Sequence, residues 1–178
     1  MYLRLISLIF ILTLVGCAKS VYTDYDQQYD YSDIQSYKIV SPAGSNPTSL
    51  DDGRMKQAVK EELTAMGLIE TGSEPNVNVR YFIEPKTENV AYGSSVRFGY
   101  GSRRFGVGYE TPTRYEERSY GQLVVEMVNT TSNQVIWRAV SKRKLTDRMT
   151  PASKNAFIQE QIKEMFEEFP PTATEPEY

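Results

Sequence analysis

The segment over residues 92–121 holds the side chains best suited to binding chemistry. It interleaves tyrosine and glycine with five arginines, which are Arg97, Arg103, Arg104, Arg114 and Arg118. A planar guanidinium matches the oxygen geometry of phosphate and carboxylate groups, and neighbouring aromatic rings offer stacking surfaces. The arginines are therefore candidate contacts to an anionic partner. The alternative interpretation is structural, a glycine-rich hairpin insertion whose tyrosines lie on its own strands.

The side chains that most hydrolytic and redox mechanisms need are missing. The chain has no histidine and one cysteine, Cys17. This excludes Ser-His-Asp and Cys-His triads, histidine-ligated metals and CxxC motifs. We therefore predict that the protein is not an enzyme and has no catalytic residues, no metal site and no cofactor. One alternative is an envelope hydrolase with a pair of carboxylates, which would have to lie within about 10 Å of each other in a cleft.

Four aspartates lie close together in the first part of the chain, namely Asp24, Asp26, Asp30 and Asp33. Carboxylate oxygens are ligands for Ca²⁺, but the spacing lacks the loop-closing glycine and final glutamate of an EF-hand. Aspartates are also common in turns, where they accept hydrogen bonds from the backbone. We favour turn caps and a solvated strand edge over a metal site.

The first 17 residues have the pattern of a secretion signal. A short n-region ends at Arg4, and an apolar run follows over residues 5–15. A helix of that length spans about 16 Å, roughly half of a hydrocarbon core, which is typical of a signal peptide. The run ends in Leu14-Val15-Gly16-Cys17, which resembles the bacterial lipobox. The resemblance implies a signal peptide over 1–16, cleavage before Cys17, a diacylglyceryl group on its sulfur and an acyl chain such as palmitate on the new amine.

The residues around Cys17 and the overall charge indicate a location. Ala18 follows the cysteine, in place of the aspartate that retains lipoproteins in the inner membrane of enteric bacteria. We therefore expect an outer-membrane protein that faces the periplasm and meets the membrane through its N-terminal lipid. The formal net charge of −3 gives no electrostatic reason to expect a nucleic-acid partner. Envelope proteins or anionic envelope polymers are the expected partners.

Two helices are predicted to position the sheet that carries these residues. The first spans about 50–66, capped by Thr48 or Ser49 and closed by Gly67. The second begins at Thr150-Pro151 and ends before Pro170. Apolar residues recur at helical spacing in both. They are Met55, Ala58, Val59, Leu63 and Met66 in the first helix, and Ile158, Ile162, Met165, Phe166 and Phe169 in the second.

Alternating apolar and polar residues predict the strands, which span 21–25, 36–40, 77–83, 123–128 and 135–141. Pro85 is expected to end the third of these strands. The polar segment 129–133 is expected to form a hairpin loop. In the last strand, Val135, Trp137 and Ala139 are expected to share one face, with Trp137 as a core anchor.

The order of certain motifs resembles one family of bacterial lipoproteins, the domain-of-unknown-function family DUF4136. The motifs are Thr23-Asp24-Tyr25-Asp26, Tyr31-Ser32, Ser36-Tyr37, Val135-Ile136-Trp137-Arg138 and Phe169-Pro170-Pro171. The resemblance runs from about Val21 to Pro171. It implies an envelope lipoprotein and brings no catalytic residues to carry over.

Together these observations predict one α+β domain over 17–171 and a disordered tail over 172–178. The expected fold is a mostly antiparallel sheet with two helices packed on one face, plus a Gly/Tyr/Arg-rich hairpin insertion. The expected function is that of a lipid-anchored, non-catalytic structural or binding module of the cell envelope. The alternatives are an accessory subunit of a trans-envelope transport or assembly complex and the carboxylate-dependent hydrolase.

Overall fold

The computed structural model describes residues 19–40, 49–92, 98–102, 105–109 and 114–171. The strands are β1 (Val21–Tyr25), β2 (Ser36–Val40), β3 (Ile69–Glu70), β4 (Val77–Tyr92), β5 (Phe98–Ser102), β6 (Phe105–Tyr109), β7 (Arg114–Asn129) and β8 (Val135–Ser141). The helices are α1 (Leu50–Ala65) and α2 (Pro151–Glu167). The predicted signal peptide, Cys17 and the predicted tail over 172–178 lie outside the described residues.

Six strands form one sheet in the order β1-β8-β7-β4-β2-β3. The pairs β1-β8, β8-β7 and β7-β4 are antiparallel, whereas β2 pairs in parallel with both β4 and β3. α1 lies between β2 and β4 in the chain. It returns the chain to the end of the sheet where β2 began, so β2 and β4 run in the same direction. The predicted α+β fold with a mostly antiparallel sheet is confirmed, and the parallel pairings make that sheet mixed.

Both helices pack on one face of this sheet and build the core. Ser49 caps α1 by accepting a hydrogen bond from the Asp52 backbone N–H at 3.0 Å, and Thr150 caps α2 in the same way. Gly67 ends the first helical segment with a φ of 82°, a conformation that favours glycine. The apolar residues predicted to form the two stripes are buried, apart from the half-buried Met66. Both predicted helices are confirmed.

The prediction that Pro85 ends its strand is wrong. β4 continues through Pro85 to Tyr92 and pairs with β7 over its whole length. β2 pairs with β4 only as far as Arg80, and among the described residues no strand pairs with this edge of β4 beyond that point, so the missing N–H of Pro85 costs no strand-pairing hydrogen bond there. Residues 85–92 of β4 and 114–121 of β7 thus form a two-stranded ribbon beyond the sheet, hereafter the arm. β5 and β6 pair with each other in the segment that joins its two strands, hereafter the tip hairpin.

The expected shared face of Val135, Trp137 and Ala139 is only partly correct. Trp137 and Ala139 are fully buried, but Val135 is 43% exposed. A β-bulge between Met127 and Val128 shifts the register, so that Val128 pairs with Val135 while Met127 pairs with Trp137. The additional residue, Ile136, enters the core instead.

An aromatic cluster closes the core beside the 3₁₀ turn over Tyr31–Asp33. The ring of Tyr31 makes edge-on contacts with those of Tyr25, Tyr29 and Phe169, at centroid distances of 6.4, 5.1 and 5.9 Å. Its hydroxyl donates to the backbone carbonyls of Asp26 and Ile136. Burial raises the pKa of Tyr31 to about 12. The phenol is therefore held in its neutral form.

This raised pKa predicts a loss of stability in alkali. The stability that the neutral Tyr31 hydroxyl contributes is fully present below about pH 10, the ordinary pKa of tyrosine, and is lost as the pH rises toward about 12. The variant Tyr31→Phe lacks the hydroxyl and should be the less stable protein near neutral pH, with the difference shrinking in alkali. Urea unfolding of both proteins across this pH range measures it. Parallel pH profiles would contradict the prediction.

Candidate functional site

The two predicted arginines that the structure describes, Arg114 and Arg118, do not converge on one anion site. Arg97, Arg103 and Arg104 lie outside the described residues. Arg114 and Arg118 both lie on the arm, four residues apart on β7, a spacing of about 13 Å along a strand. The two therefore cannot bind the same small anion side by side.

The environments of Arg114 and Arg118 also differ. Arg118 is half-buried, forms an ion pair with Glu116 at 3.4 Å and lies over the ring of Tyr92 at 4.9 Å. Arg114 is exposed, and it forms no ion pair with any residue that the structure describes. As far as the described residues go, Arg114 is therefore the more available of the two guanidiniums for an outside partner.

A cleft of about 280 Å³ lies where the base of the arm meets the segment that follows β8. Its acidic residues are Glu88, Glu116, Glu117 and Asp147, and its basic residues are Arg118, Lys144 and Arg148. Lys144 forms an ion pair with Glu88, and its Nζ lies 4.7 Å from the ring centroid of Tyr120. Only glycine fits at residue 121 beside the cleft, since a Cβ there would lie 2.5 Å from Cγ2 of Ile83.

The cleft brings four carboxylates and three cations together, an arrangement suited to recognising charged groups. Its carboxylates and cations pair largely with one another, as Lys144 does with Glu88 and Arg118 with Glu116. Among the described residues there is no group of three or more acidic, histidine or cysteine side chains placed to hold a metal ion. The cleft has the polar character of a surface contact.

Two of the four aspartates near the start of the domain, Asp26 and Asp30, serve as turn caps. Asp30 accepts hydrogen bonds from the backbone N–H and hydroxyl of Ser32, at 2.9 and 2.7 Å. These bonds lower the pKa of Asp30. Asp26 accepts from the backbone N–H of Gln28 at 2.9 Å. The predicted turn-capping role is confirmed for these two residues.

A charge cluster that the sequence analysis missed lies on the sheet face away from the helices. The register places Arg80, Glu126 and Arg138 side by side on β4, β7 and β8. The carboxylate of Glu126 bonds to both guanidiniums, at 2.8 Å for Arg80, and its side chain is only 7% exposed. The sequence held one indication of this cluster, since Glu126 interrupts the apolar run over residues 123–128. Its two arginine partners, however, can be identified only from the register of the strands.

An apolar row adjoins this cluster on the same face. Phe82, Val124, Val140 and Tyr22 are successive partners across β4, β7, β8 and β1. Val124 is fully buried, whereas Tyr22 at the sheet edge is 58% exposed. The guanidinium of Arg138 lies 5.9 Å from the ring centroid of Phe82, which joins the charged and apolar rows.

Sequence comparison decides the family. The family described as a domain of unknown function, DUF4136, matches residues 21–171, a span from the start of β1 to the residues that follow α2. The chain belongs to the DUF4136 family. This confirms the family resemblance carried by the ordered motifs. Among curated proteins, none matches this DUF4136 chain.

Several solved structures resemble this DUF4136 protein. A PDZ domain protein from Parabacteroides distasonis has 11% identity and a TM-score of 0.57, and the similarity covers 86% of this chain and 36% of that one. The PelC dodecamer from Paraburkholderia phytofirmans has 8% identity and a TM-score of 0.45, with 82% and 94% covered. A minor lipoprotein from Acinetobacter baumannii has 10% identity and a TM-score of 0.37, with 76% and 90% covered. The first similarity supports the fold alone, and we infer nothing from the other two.

The DUF4136 chain spans about a third of the length of that PDZ domain protein. Within the part of the chain that the structure describes, neither helix has the length and apolar character required to cross a membrane.

Proposed function

We propose that this DUF4136 protein is a cell-envelope lipoprotein whose domain is a non-catalytic structural or binding module, anchored by a lipid on Cys17. The observation that carries the proposal is the lipobox, because it uses the one cysteine of the chain and directly follows an apolar run of signal-peptide length. Two or three acyl chains, at about 0.8 kcal/mol per buried CH₂, provide a firm anchor.

The start of the folded domain fits such an anchor. The backbone N–H of Lys142 donates to the carbonyl of Ser20 at 2.8 Å, and Gln161 Nε2 donates to the Ser20 hydroxyl at 2.7 Å. Only Ala18 and Lys19 separate this fixed residue from Cys17. The domain is therefore held close to its membrane. We place it at the outer membrane, facing the periplasm, on the basis of Ala18.

Partner binding is assigned to the arm. Its exposed Arg114 suits an acidic envelope protein or an anionic envelope polymer, and the neighbouring Tyr115 is 74% exposed. A role as an accessory subunit of a trans-envelope complex would use the same surface. The cleft at the arm base favours binding over hydrolysis, because two of its four carboxylates, Glu88 and Glu116, are engaged in ion pairs within the chain.

Replacing Cys17 with serine is expected to abolish membrane attachment, because a hydroxyl does not take the thioether-linked lipid. Cells grown with radiolabelled palmitate should label the wild-type chain and leave Cys17→Ser unlabelled, with the variant absent from the mature membrane-anchored fraction. As a matched control in an enteric host, Ala18→Asp should keep the label and move the protein to the inner membrane. An unlabelled wild-type chain would reject the proposal.

A further inference from the structure

The arm points in the same direction as the N-terminus of the domain. Val21 pairs with Ser141, whose hydroxyl accepts from the Leu123 backbone N–H at 2.9 Å, so β1 starts level with Leu123 of β7. β1 and β7 are both antiparallel to β8 and hence parallel to each other. The chain therefore leads from Val21 toward Cys17 in the same direction as β7 leads from Leu123 into the arm.

The arm is longer than the link to the anchor. From Leu123 to Arg114, nine residues of strand cover about 30 Å. The four residues from Val21 back to Cys17 cover about 14 Å even when fully extended. A lipid on Cys17 therefore holds the domain so close to the leaflet that the arm either enters the interface or lies along it.

The sequence of the tip hairpin suits a lipid interface. The register pairs Phe98 with Tyr109 and Tyr100 with Val107, while glycine pairs with glycine at the two positions in between. Glycine alternates with larger residues along both strands. The ten strand residues include no charge.

The described part of the arm carries further aromatic residues near the tip hairpin. Tyr115 is 74% exposed and Tyr92 is 39% exposed. Tyrosine is enriched where membranes meet water, because its ring is apolar and its hydroxyl is polar. Exposed aromatic residues thus accumulate at the end of the molecule that the anchor brings to the bilayer.

We propose that the arm and its tip hairpin contact the lipid leaflet that holds the Cys17 anchor, with the residues of the tip hairpin in the headgroup region. This inference rests on the proposed function, because the anchor sets the distance between domain and bilayer. It adds a second membrane contact and an orientation. The opposite end of the sheet, with the turn between β7 and β8, faces away from the membrane.

A single fluorophore at two alternative positions tests the orientation. With Cys17 lipidated, an introduced cysteine is the only free thiol, so Val107→Cys in the tip hairpin and Ser132→Cys in the distant turn can each be labelled selectively. The lipidated proteins are reconstituted into vesicles of phosphatidylethanolamine and phosphatidylglycerol that contain nitroxide-labelled lipid. The label at 107 should lose roughly half of its fluorescence to the nitroxide at interfacial depth, and the label at 132 almost none.

Vesicle flotation separates this inference from the proposed function. Protein that floats with the vesicles and shows quenching at 107 alone supports the membrane-facing arm. Protein that floats and is quenched no more at 107 than at 132 overturns the arm contact and leaves the anchor intact. Protein that does not float overturns the anchor, and the inference falls with it. Circular dichroism of each variant checks that the fold is retained.

Discussion

Replacing Trp137 with alanine is expected to lower the free energy of unfolding by about 3–5 kcal/mol. Small domains are stable by only about 5–15 kcal/mol, so this one change would remove a large part of the total. The expectation follows from the position of the indole. Trp137 is fully buried on β8, on the sheet face that the helices cover.

The contacts of Trp137 explain the size of this effect. Its ring stacks on Phe166 of α2 at a centroid distance of 5.6 Å and meets Phe169 edge-on at 5.4 Å. Phe169 in turn contacts Tyr31, the first residue of the 3₁₀ turn. The indole thus joins the sheet to the end of α2 and to the aromatic cluster, and alanine would leave a cavity among rigid rings that cannot close around it.

Phenylalanine at position 137 is the matched control. The indole Nε1 of Trp137 is buried and makes no hydrogen bond with any residue in the described ranges. Phenylalanine keeps an aromatic ring and removes this unpaired donor, so Trp137→Phe should cost less than about 1.5 kcal/mol. Urea unfolding followed by far-ultraviolet circular dichroism compares the two variants. Equal losses for alanine and phenylalanine would show that ring packing is not the cause.

The helices of this fold could be predicted from local features. Ser49, Thr150 and Gly67 mark helix ends by their own hydrogen-bonding and backbone properties, and those properties act within four residues along the chain. The apolar stripes need only a period of 3.6 to assign a buried face. The prediction therefore required no knowledge of what the helices pack against, and the structure agrees with it.

The strand ends and the charge cluster could not be predicted in this way, because they depend on partners distant in the chain. Proline breaks a strand only where its nitrogen, which carries no hydrogen, would have to donate to a neighbouring strand, and β2 stops pairing with β4 before reaching Pro85. Val135 is turned outward by a bulge that arises from the register against β7. Glu126 stands out in an apolar run, but no local rule identifies Arg80 and Arg138 as its partners.

Those partners allow a second prediction with a large effect, in which Arg80 and Arg138 are both replaced by methionine. The Glu126 carboxylate would then be left nearly buried without a cation, since its side chain is 7% exposed. Leaving such a charge unpaired costs about 3–5 kcal/mol, and we expect the lower end because the face lies at the surface. Removing Glu126 instead should cost less, because the arginine side chains are 41% and 38% exposed and regain water.

The decisive comparison is Glu126→Leu in two backgrounds. In the wild-type protein the change should destabilise, because it removes the carboxylate partner of Arg80 and leaves Arg138 only its ion pair with Glu84 at 3.8 Å. In Arg80→Met/Arg138→Met the same change should stabilise, because it removes an unpaired charge and extends the apolar row of Phe82 and Val124. Lys60→Met, which breaks the exposed ion pair with Glu70 away from this cluster, serves as the control and should leave stability unchanged. If Glu126→Leu acts with the same sign and size in both backgrounds, the three residues are not coupled, and the carboxylate does not depend on its arginines.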